Sequence, residues 1–298
     1  MSFLTTPFVA DTVARFMGSF SPRPASGPLG FPEIRGNTQE VQVPTRHGEL
    51  TCTLYAPTAE PESLPGVYVN FHGGGFVVPG RRQDDPWCRY LAAATGSYIL
   101  NVEYSTAPHV RFPVPVEQAY EVTLWAASVD RPWNHRRVAV GGQSAGGNLA
   151  AGAARMALDA HSSHISLQVL HYAPLDLVTD IRLKPSPLAK TVLRGWMRDV
   201  FETAYTPDPE LRKHPLASPV WGSNADDLTG IAPAIVATCE YDRLRNEGVT
   251  YAQKLAKAGA LISHVDIPKA DHGYNLLTTR ELAETGYSLL APLIAAVL

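Results

Sequence analysis

The chain has 298 residues, of which 45% are hydrophobic and 18% charged, and its formal net charge is −3. This composition is ordinary for a globular protein with a substantial core, and the length allows one large α/β domain or two smaller ones. No Lys- or Arg-rich run occurs, so we expect neither nucleic acid nor an anionic membrane as a partner.

The cysteines and the first residues bear on the compartment. Cys52, Cys88 and Cys239 are odd in number and form no C-x-x-C pair, which favours a reducing compartment over a disulfide framework. Residues 1–16 lack the basic n-region of a signal peptide, and the longest apolar stretch, 289–298, is too short to span a membrane. We therefore expect a cytoplasmic protein with no integral membrane segment, although leaderless export stays open.

The first elements are a helical segment and a hairpin. Apolar residues recur at helical spacing over 3–20, which predicts an amphipathic helix or two. The Pro- and Gly-rich segment 21–37 is typical of a loop. Apolar and polar residues then alternate over 40–44 and 50–56, which predicts two paired strands at a sheet edge.

From residue 66 onward, short apolar runs alternate with helical segments. Strand-like runs alternating with helices indicate a mostly parallel sheet with helices on both faces, here of about eight strands. The predicted strands are 66–71, 97–102, 137–142, 166–172, 233–239 and 261–267, and the predicted helices lie near 86–94, 116–128, 145–158, 249–258 and 280–297.

One interval breaks this alternation. Between 172 and 232 no strand is predicted, and Pro-punctuated helical pieces, including 188–205, take its place. An insertion of this length in a compact domain indicates a lid or cap rather than a bare loop. Trp196, Met197 and Phe201 are candidate pocket residues, with ordinary packing inside the cap as the alternative.

The sequence Gly142-Gln143-Ser144-Ala145-Gly146 matches the G-x-S-x-G nucleophile elbow. A serine on a sharp strand-to-helix turn needs small neighbours, and glycines two residues before and after it remove the collisions. A predicted strand precedes this sequence and a predicted helix follows it. We therefore predict that Ser144 is a nucleophile; the alternative is a tight turn that holds an inert serine.

A second signal, His72-Gly73-Gly74-Gly75, follows the predicted strand 66–71. Acyl transfer places negative charge on a carbonyl oxygen, and exposed backbone N–H groups in a glycine run can bind it. The N–H group of Ala145 would be the partner donor. The alternative is a flexible glycine turn.

The base and the acid are expected after the nucleophile, in the order Ser, acid, His. His272 lies on the loop after the last predicted strand, unlike His264 within that strand. For the acid, Asp242 and Glu240 both follow the strand 233–239, and we favour Asp242 because it lies on the emerging loop. The alternative role for Asp242 is an N-cap of the next helix.

Other histidines fit the chemistry less well. His171 precedes the region where the acid is expected. His161 and His164 have H-x-x-H spacing, but no Cys or carboxylate pattern completes a metal site. We therefore expect no metal.

Together, HGGGF (72–76), GQSAGGNLA (142–150), DRLRNEG (242–248) and DHGY (271–274) resemble the hormone-sensitive-lipase family of α/β-hydrolases, of the bacterial carboxylesterase or lipase type. The resemblance implies oxyanion donors at Gly74, Gly75 and Ala145. It also implies a hydrolase core over 38–176 and 230–298, with a cap formed by 1–37 and 177–229. The chain departs from the family in carrying Gln143, where Asp or Glu is common.

The predicted activity is hydrolysis of carboxylic esters with short to medium acyl chains, through an acyl-enzyme and without a cofactor. Amide, formamide or lactone hydrolysis would use the same residues and stays an alternative. A non-catalytic receptor, like the plant gibberellin receptors that resemble this family, would lack the histidine that is present here as His272. The expected partner is a small ester, and a homodimer is allowed.

Overall fold

In the computed structural model, residues 3–20, 27–58 and 63–298 are described, and they form one eight-stranded sheet with helices on both faces. The strands are β1 (Asn37–Thr45), β2 (Gly48–Ala56), β3 (Val67–Phe71), β4 (Tyr98–Val102), β5 (Val138–Gln143), β6 (Leu167–His171), β7 (Ala234–Cys239) and β8 (Leu261–Ile267). The helices are α1 (Pro7–Gly18), α2 (Asp85–Thr95), α3 (Val114–Ala126), α4 (Ala145–Asp159), α5 (Gly195–Tyr205), α6 (Arg245–Lys257), α7 (Tyr274–Leu277) and α8 (Arg280–Ala295).

The strand order is β1-β2-β4-β3-β5-β6-β7-β8. Strands β3 to β8 run parallel to one another, whereas β2 pairs antiparallel with both β1 and β4. The mostly parallel sheet and the hairpin at its edge are therefore confirmed. At the other edge β8 is only half buried, unlike the central strands, because it has a neighbour on one side alone.

Side chains alternate between the two faces of the sheet, and each face packs on its own helices. On β3, Val67, Val69 and Phe71 belong to the core that includes α3, α4 and α6. Tyr68 points the other way and packs with α2 and α8. Burial on both faces explains why the central strands are continuous apolar runs.

The interval between β6 and β7 contains no strand and only one α-helix, α5, which begins at Gly195. The prediction of helical structure from residue 188 was wrong for 188–194. Tertiary hydrogen bonds hold that segment in an irregular conformation, since the N–H of Val192 donates to Asp271 and Arg243 donates to the Thr191 hydroxyl.

Helix α1 packs against α5, and an ion pair between Asp11 and Arg111, with N and O 2.6 Å apart, fixes α1 to the loop before α3. The predicted division into core and cap stays a prediction. Within the predicted cap, however, the segment at 30–34 binds the side chain of Arg89 in α2 through its carbonyls. No helix among the described residues is long and apolar enough to cross a membrane.

Candidate active site

Ser144 lies in the turn between β5 and α4, with φ 51° and ψ −119°. This backbone conformation is rare for a residue with a side chain, and strain of this kind is found at functional sites. The turn is tight because β5 and α4 lie close to β3: a Cβ atom on Gly142 or Gly146 would overlap the carbonyl oxygen of Phe71. The N–H of Ser144 donates to the carbonyl of His171 at 2.9 Å, which anchors the turn to β6.

The structure brings Ser144, His272 and Asp242 into one hydrogen-bonded chain. The Nε2 atom of His272 lies 2.8 Å from Ser144 Oγ, and its Nδ1 atom lies 2.7 Å from Asp242 Oδ2. Because a carboxylate can only accept, Nδ1 carries the proton and Nε2 is left to accept from the serine hydroxyl. Asp242 and His272 are both buried, so water competes little for these bonds.

The other candidates for acid and base lie elsewhere. Glu240 is exposed, and its Oε2 accepts from the N–H of Lys269 at 2.7 Å. His264 forms a hydrogen bond with the Thr238 hydroxyl at 2.9 Å rather than with Ser144. His171 is fully buried beside Tyr274, and burial lowers its pKa to about 3. Asp242 also accepts from the N–H of Leu244 at 3.0 Å, so it stabilises the start of α6 as well.

The glycine loop lies beside the serine. Gly74 and Gly75 have positive φ, 112° and 61°, and both line the same cavity as Ser144. Among the hydrogen bonds of the described residues, none uses the N–H of Gly74, Gly75 or Ala145 as a donor. These N–H groups can therefore receive an oxyanion without first breaking an internal bond.

Buried side chains hold the loop from beneath. The ring of His72 stacks on Tyr104 with centroids 4.2 Å apart, and its Nδ1 lies 2.6 Å from the carbonyl of Gly73. Burial would raise the pKa of Glu103, but His72, whose Nε2 lies 3.4 Å from Glu103 Oε1, and Arg81 together lower it to about 2. Glu103 also accepts from the N–H of Gly80 at 2.7 Å, which fixes the far end of the loop.

Above Ser144 is a mostly apolar cavity of about 260 Å³. Met17 of α1 and Met197 and Phe201 of α5 contribute to its walls, as does Leu277 after the histidine loop. Two of the three candidate pocket residues, Met197 and Phe201, therefore line this cavity. Trp196 is not among its lining residues and is 47% exposed, because it lies on the outer side of α5.

Residues that the sequence analysis did not single out support the histidine. Tyr172 donates its hydroxyl to Gln143 and packs edge-on against the His272 ring, with centroids 4.9 Å apart. Asn275 donates to the same Gln143 oxygen at 2.6 Å. Asp271 accepts from the N–H of His272 at 2.7 Å and from that of Val192 at 2.7 Å, so it joins the histidine loop to the segment before α5. Of these, only Asp271 stood in a recognisable motif, DHGY.

Asp84 lies fully buried in the same polar layer. Its Oδ2 accepts from Asn70 at 3.0 Å, while Oδ1 has no hydrogen-bond partner among the described residues. Burial raises the pKa of Asp84 to about 6, against the opposing effect of the Asn70 amide. The folded protein therefore holds this proton more tightly than the unfolded chain does.

We expect Asp84→Asn to remove a pH-dependent loss of stability. The pKa of Asp84 is higher in the folded protein than in the unfolded chain. The wild-type free energy of unfolding therefore falls by about 3 kcal/mol in total as pH rises from about 4 to 6 and Asp84 loses its proton. Urea unfolding at pH 4.5 and at pH 8 would measure the difference in free energy of unfolding between the variant and the wild type, and this difference should favour the variant more at pH 8. The same difference at both pH values would contradict this role of Asp84.

Within the described part of the chain, no three His, Cys, Asp or Glu side chains are placed to hold a metal ion.

Comparison with known proteins agrees with this geometry. A family model described as alpha/beta hydrolase fold matches residues 68–276, well over half of the chain. Carboxylesterase NlhH of Mycobacterium tuberculosis is 29% identical over 232 residues, which are 76% of this chain and 71% of that protein. Ethyl acetate hydrolase of Pseudomonas putida is 31% identical over 249 residues, 79% of this chain and 74% of that protein.

A solved structure shares the whole fold. The esterase of Pyrobaculum calidifontis superposes with a TM-score of 0.79 at 31% identity, covering 100% of this chain and 94% of that one. The fold, the order of the motifs and these similarities agree. The chain belongs to the alpha/beta hydrolase family, of the hormone-sensitive-lipase-like carboxylesterase type.

Proposed function

We propose that this protein hydrolyses carboxylic esters, with Ser144 as nucleophile, His272 as general base and Asp242 as the group that orients the histidine. The observation that carries the proposal is the hydrogen-bonded chain from Asp242 through His272 to Ser144, which ends in an apolar cavity. The relatives named carboxylesterase and ethyl acetate hydrolase support the ester as the substrate class.

In the first step Ser144 Oγ bonds to the ester carbonyl carbon, while its proton moves to His272 Nε2. The carbonyl electron pair moves onto the oxygen, which binds to the N–H groups of Gly74, Gly75 and Ala145. Asp242 accepts from Nδ1 and stabilises the imidazolium that has formed.

The intermediate then collapses. The bond between the carbonyl carbon and the alcohol oxygen breaks, and the alcohol leaves with the proton from Nε2. A water molecule gives a proton to the same nitrogen and attacks the acyl-enzyme carbonyl. A second collapse returns the proton to Ser144 Oγ and releases the carboxylic acid.

We expect esters of short to medium acyl acids to react faster than long-chain triglycerides. The space beside Ser144, whose main cavity has about 260 Å³, can hold a small ester but not a long chain, and most of the lining of this cavity is apolar. Initial rates on p-nitrophenyl esters from acetate to palmitate would measure this preference, together with soluble tributyrin and emulsified triolein. Faster turnover of the emulsion than of soluble butyrate or hexanoate esters would contradict it.

Amide, formamide or lactone hydrolysis would use the same residues, so the leaving group has to be varied at constant acyl group. Acetate esters of p-nitrophenol and the matching p-nitroanilide serve this purpose, with a lactone as a third substrate. We expect the ester to have by far the highest kcat/KM. A higher kcat/KM for the anilide or the lactone would mean that amides or lactones, rather than esters, are the preferred substrate class.

A receptor without catalysis is disfavoured because His272 Nε2 lies within hydrogen-bonding distance of Ser144 Oγ, at 2.8 Å. The cytoplasmic location, the homodimer and the absence of a nucleic-acid partner stay predictions from the sequence.

A further inference from the structure

Two cavities meet at Ser144. The larger one, of about 260 Å³, is lined by His272, whereas the smaller one, of about 30 Å³, is lined by Ser144 but not by the histidine. Gly75, Leu193 and Phe201 line both. The Phe201 ring lies directly against Gly75, so closely that a Cβ atom on that glycine would overlap the ring. Phe201 therefore contacts both spaces and the glycine loop.

The chemistry assigns one half of the ester to each cavity. The leaving alcohol receives its proton from His272 Nε2, so the alcohol oxygen must lie within hydrogen-bonding reach of that atom. The alcohol half therefore occupies the larger cavity, which contains His272. The acyl chain extends from the carbonyl carbon away from the histidine, into the smaller cavity.

The smaller cavity is not wholly apolar. Phe76, Leu177 and Leu244 line it, but so do Arg198 and Glu202 of α5. A cavity of about 30 Å³ is small, so it favours an acyl group with few heavy atoms beyond the carbonyl carbon.

The guanidinium of Arg198 has hydrogen-bond donors that lack an acceptor. It is 5% exposed, its Nη2 donates to the carbonyl of Asp176 at 3.1 Å, and it pairs with Glu202. Among the described residues, nothing accepts a hydrogen bond from its Nε or its Nη1. A buried donor without a partner is costly, so an acceptor oxygen in this cavity would be bound favourably.

The charges around Arg198 suggest that this acceptor is neutral. Four acidic side chains and three basic ones lie together here, so the cluster has no excess positive charge to attract a carboxylate: Asp176, Asp180, Glu202, Glu247, Lys184, Arg198 and Arg212. A hydroxyl or keto oxygen meets the unused N–H groups without upsetting this balance.

We propose that Arg198 is a specificity-determining residue that donates a hydrogen bond to an oxygen on C2 of a short acyl group. Given the proposed function, on which this inference rests, the preferred substrates are esters of small 2-hydroxy or 2-keto acids. The probe is the glycolyl group, which places a methylene and a hydroxyl beyond the carbonyl carbon. Propionyl has the same number of heavy atoms and ends in a methyl group, so it is the matched apolar substrate.

The test compares kcat/KM for glycolate and propionate esters of one alcohol. The measured quantity is the glycolate-to-propionate ratio of kcat/KM, divided by the same ratio of rate constants for hydroxide-catalysed hydrolysis. In the wild type this normalised ratio should exceed about ten, because a hydrogen bond to a charged donor favours the glycolate transition state by about tenfold or more. In Arg198→Met this ratio should fall by about tenfold to a hundredfold. Intrinsic ester reactivity cancels when the two enzymes are compared.

Removing Arg198 alone leaves Glu202 buried with only Arg212 nearby, at 3.6 Å, and such a variant can fail to fold. The double variant Arg198→Met with Glu202→Gln removes both charges and should show the same fall in the ratio. Arg212→Met is the matched control, since Arg212 touches Glu202 but does not line the cavity, and its ratio should equal that of the wild type.

A normalised wild-type ratio near one, or a ratio that changes less than about twofold in the folded single or double variant, would overturn the inference. So would an equal fall in Arg212→Met. In each of these cases the esters are still hydrolysed through Ser144, so the proposed function stands. If the wild type hydrolyses neither ester, the proposed function itself has failed.

Discussion

Ser144→Ala is expected to lower kcat for ester hydrolysis by about 10⁶, the loss seen when a serine protease of the same chemistry loses its nucleophile. The variant keeps the positive φ of the turn and the apolar cavity but has no oxygen to attack the carbonyl. Alanine tolerates this φ about as well as serine, so the fold should be retained. Steady-state rates on p-nitrophenyl butyrate measure the loss.

The control for this variant is Ser128→Ala, which removes a hydroxyl that donates to the Trp125 carbonyl, and neither residue lines the cavity. Its rate should equal that of the wild type. Circular dichroism and thermal unfolding establish that both variants are folded. Full esterase activity in folded Ser144→Ala would remove Ser144 from the mechanism.

Asp242→Asn should lower kcat by about 10³–10⁴, less than the loss of the serine. His272 Nδ1 donates to Asp242 Oδ2 at 2.7 Å, and an amide in that place can present its own N–H and favour the wrong imidazole tautomer. The imidazolium formed during attack would also lose its counter-charge.

Glu240→Gln is the matched comparison, because Glu240 is two residues away and, within the described part of the chain, accepts only from the N–H of Lys269 in the exposed loop. Its kcat should change about tenfold or less, since the loss is confined to a strand end. Asp242 also accepts from Leu244 at the start of α6, so losing it can cost about 1 kcal/mol of stability, and the two variants should be compared well below their unfolding temperatures. A crippled Glu240→Gln with an active Asp242→Asn would move the role of the acid to Glu240.

The sheet was predictable from the sequence because its signal is local. Each central strand is buried on both faces and therefore appears as an uninterrupted apolar run, and the helices between the runs show their own period. The positions of Ser144 and His272 follow from short motifs at the ends of such strands. Where an element is held by distant groups, the local signal fails: residues 188–194 have helical character but are fixed by Asp271 and Arg243.

Most of the contacts around the site could not be predicted from the sequence. The contact of Tyr172 with His272 and the hydrogen bond of Asn275 to Gln143 join residues 100 or more positions apart, with no motif to pair them. Arg198 and Glu202 have the i, i+4 spacing of an ordinary surface ion pair on a helix. Only the packing of α5 over Ser144 turns that pair toward the inside of the protein.

The central claim is that Ser144 carries the acyl group during turnover. The most direct measurement is labelling of the native protein with a fluorophosphonate, followed by proteolysis and mass spectrometry of the peptides. The account predicts one modified residue, Ser144, at one label per chain, and loss of esterase activity in proportion to labelling. Labelling of a different residue, or unchanged ester hydrolysis after complete labelling of Ser144, would contradict it.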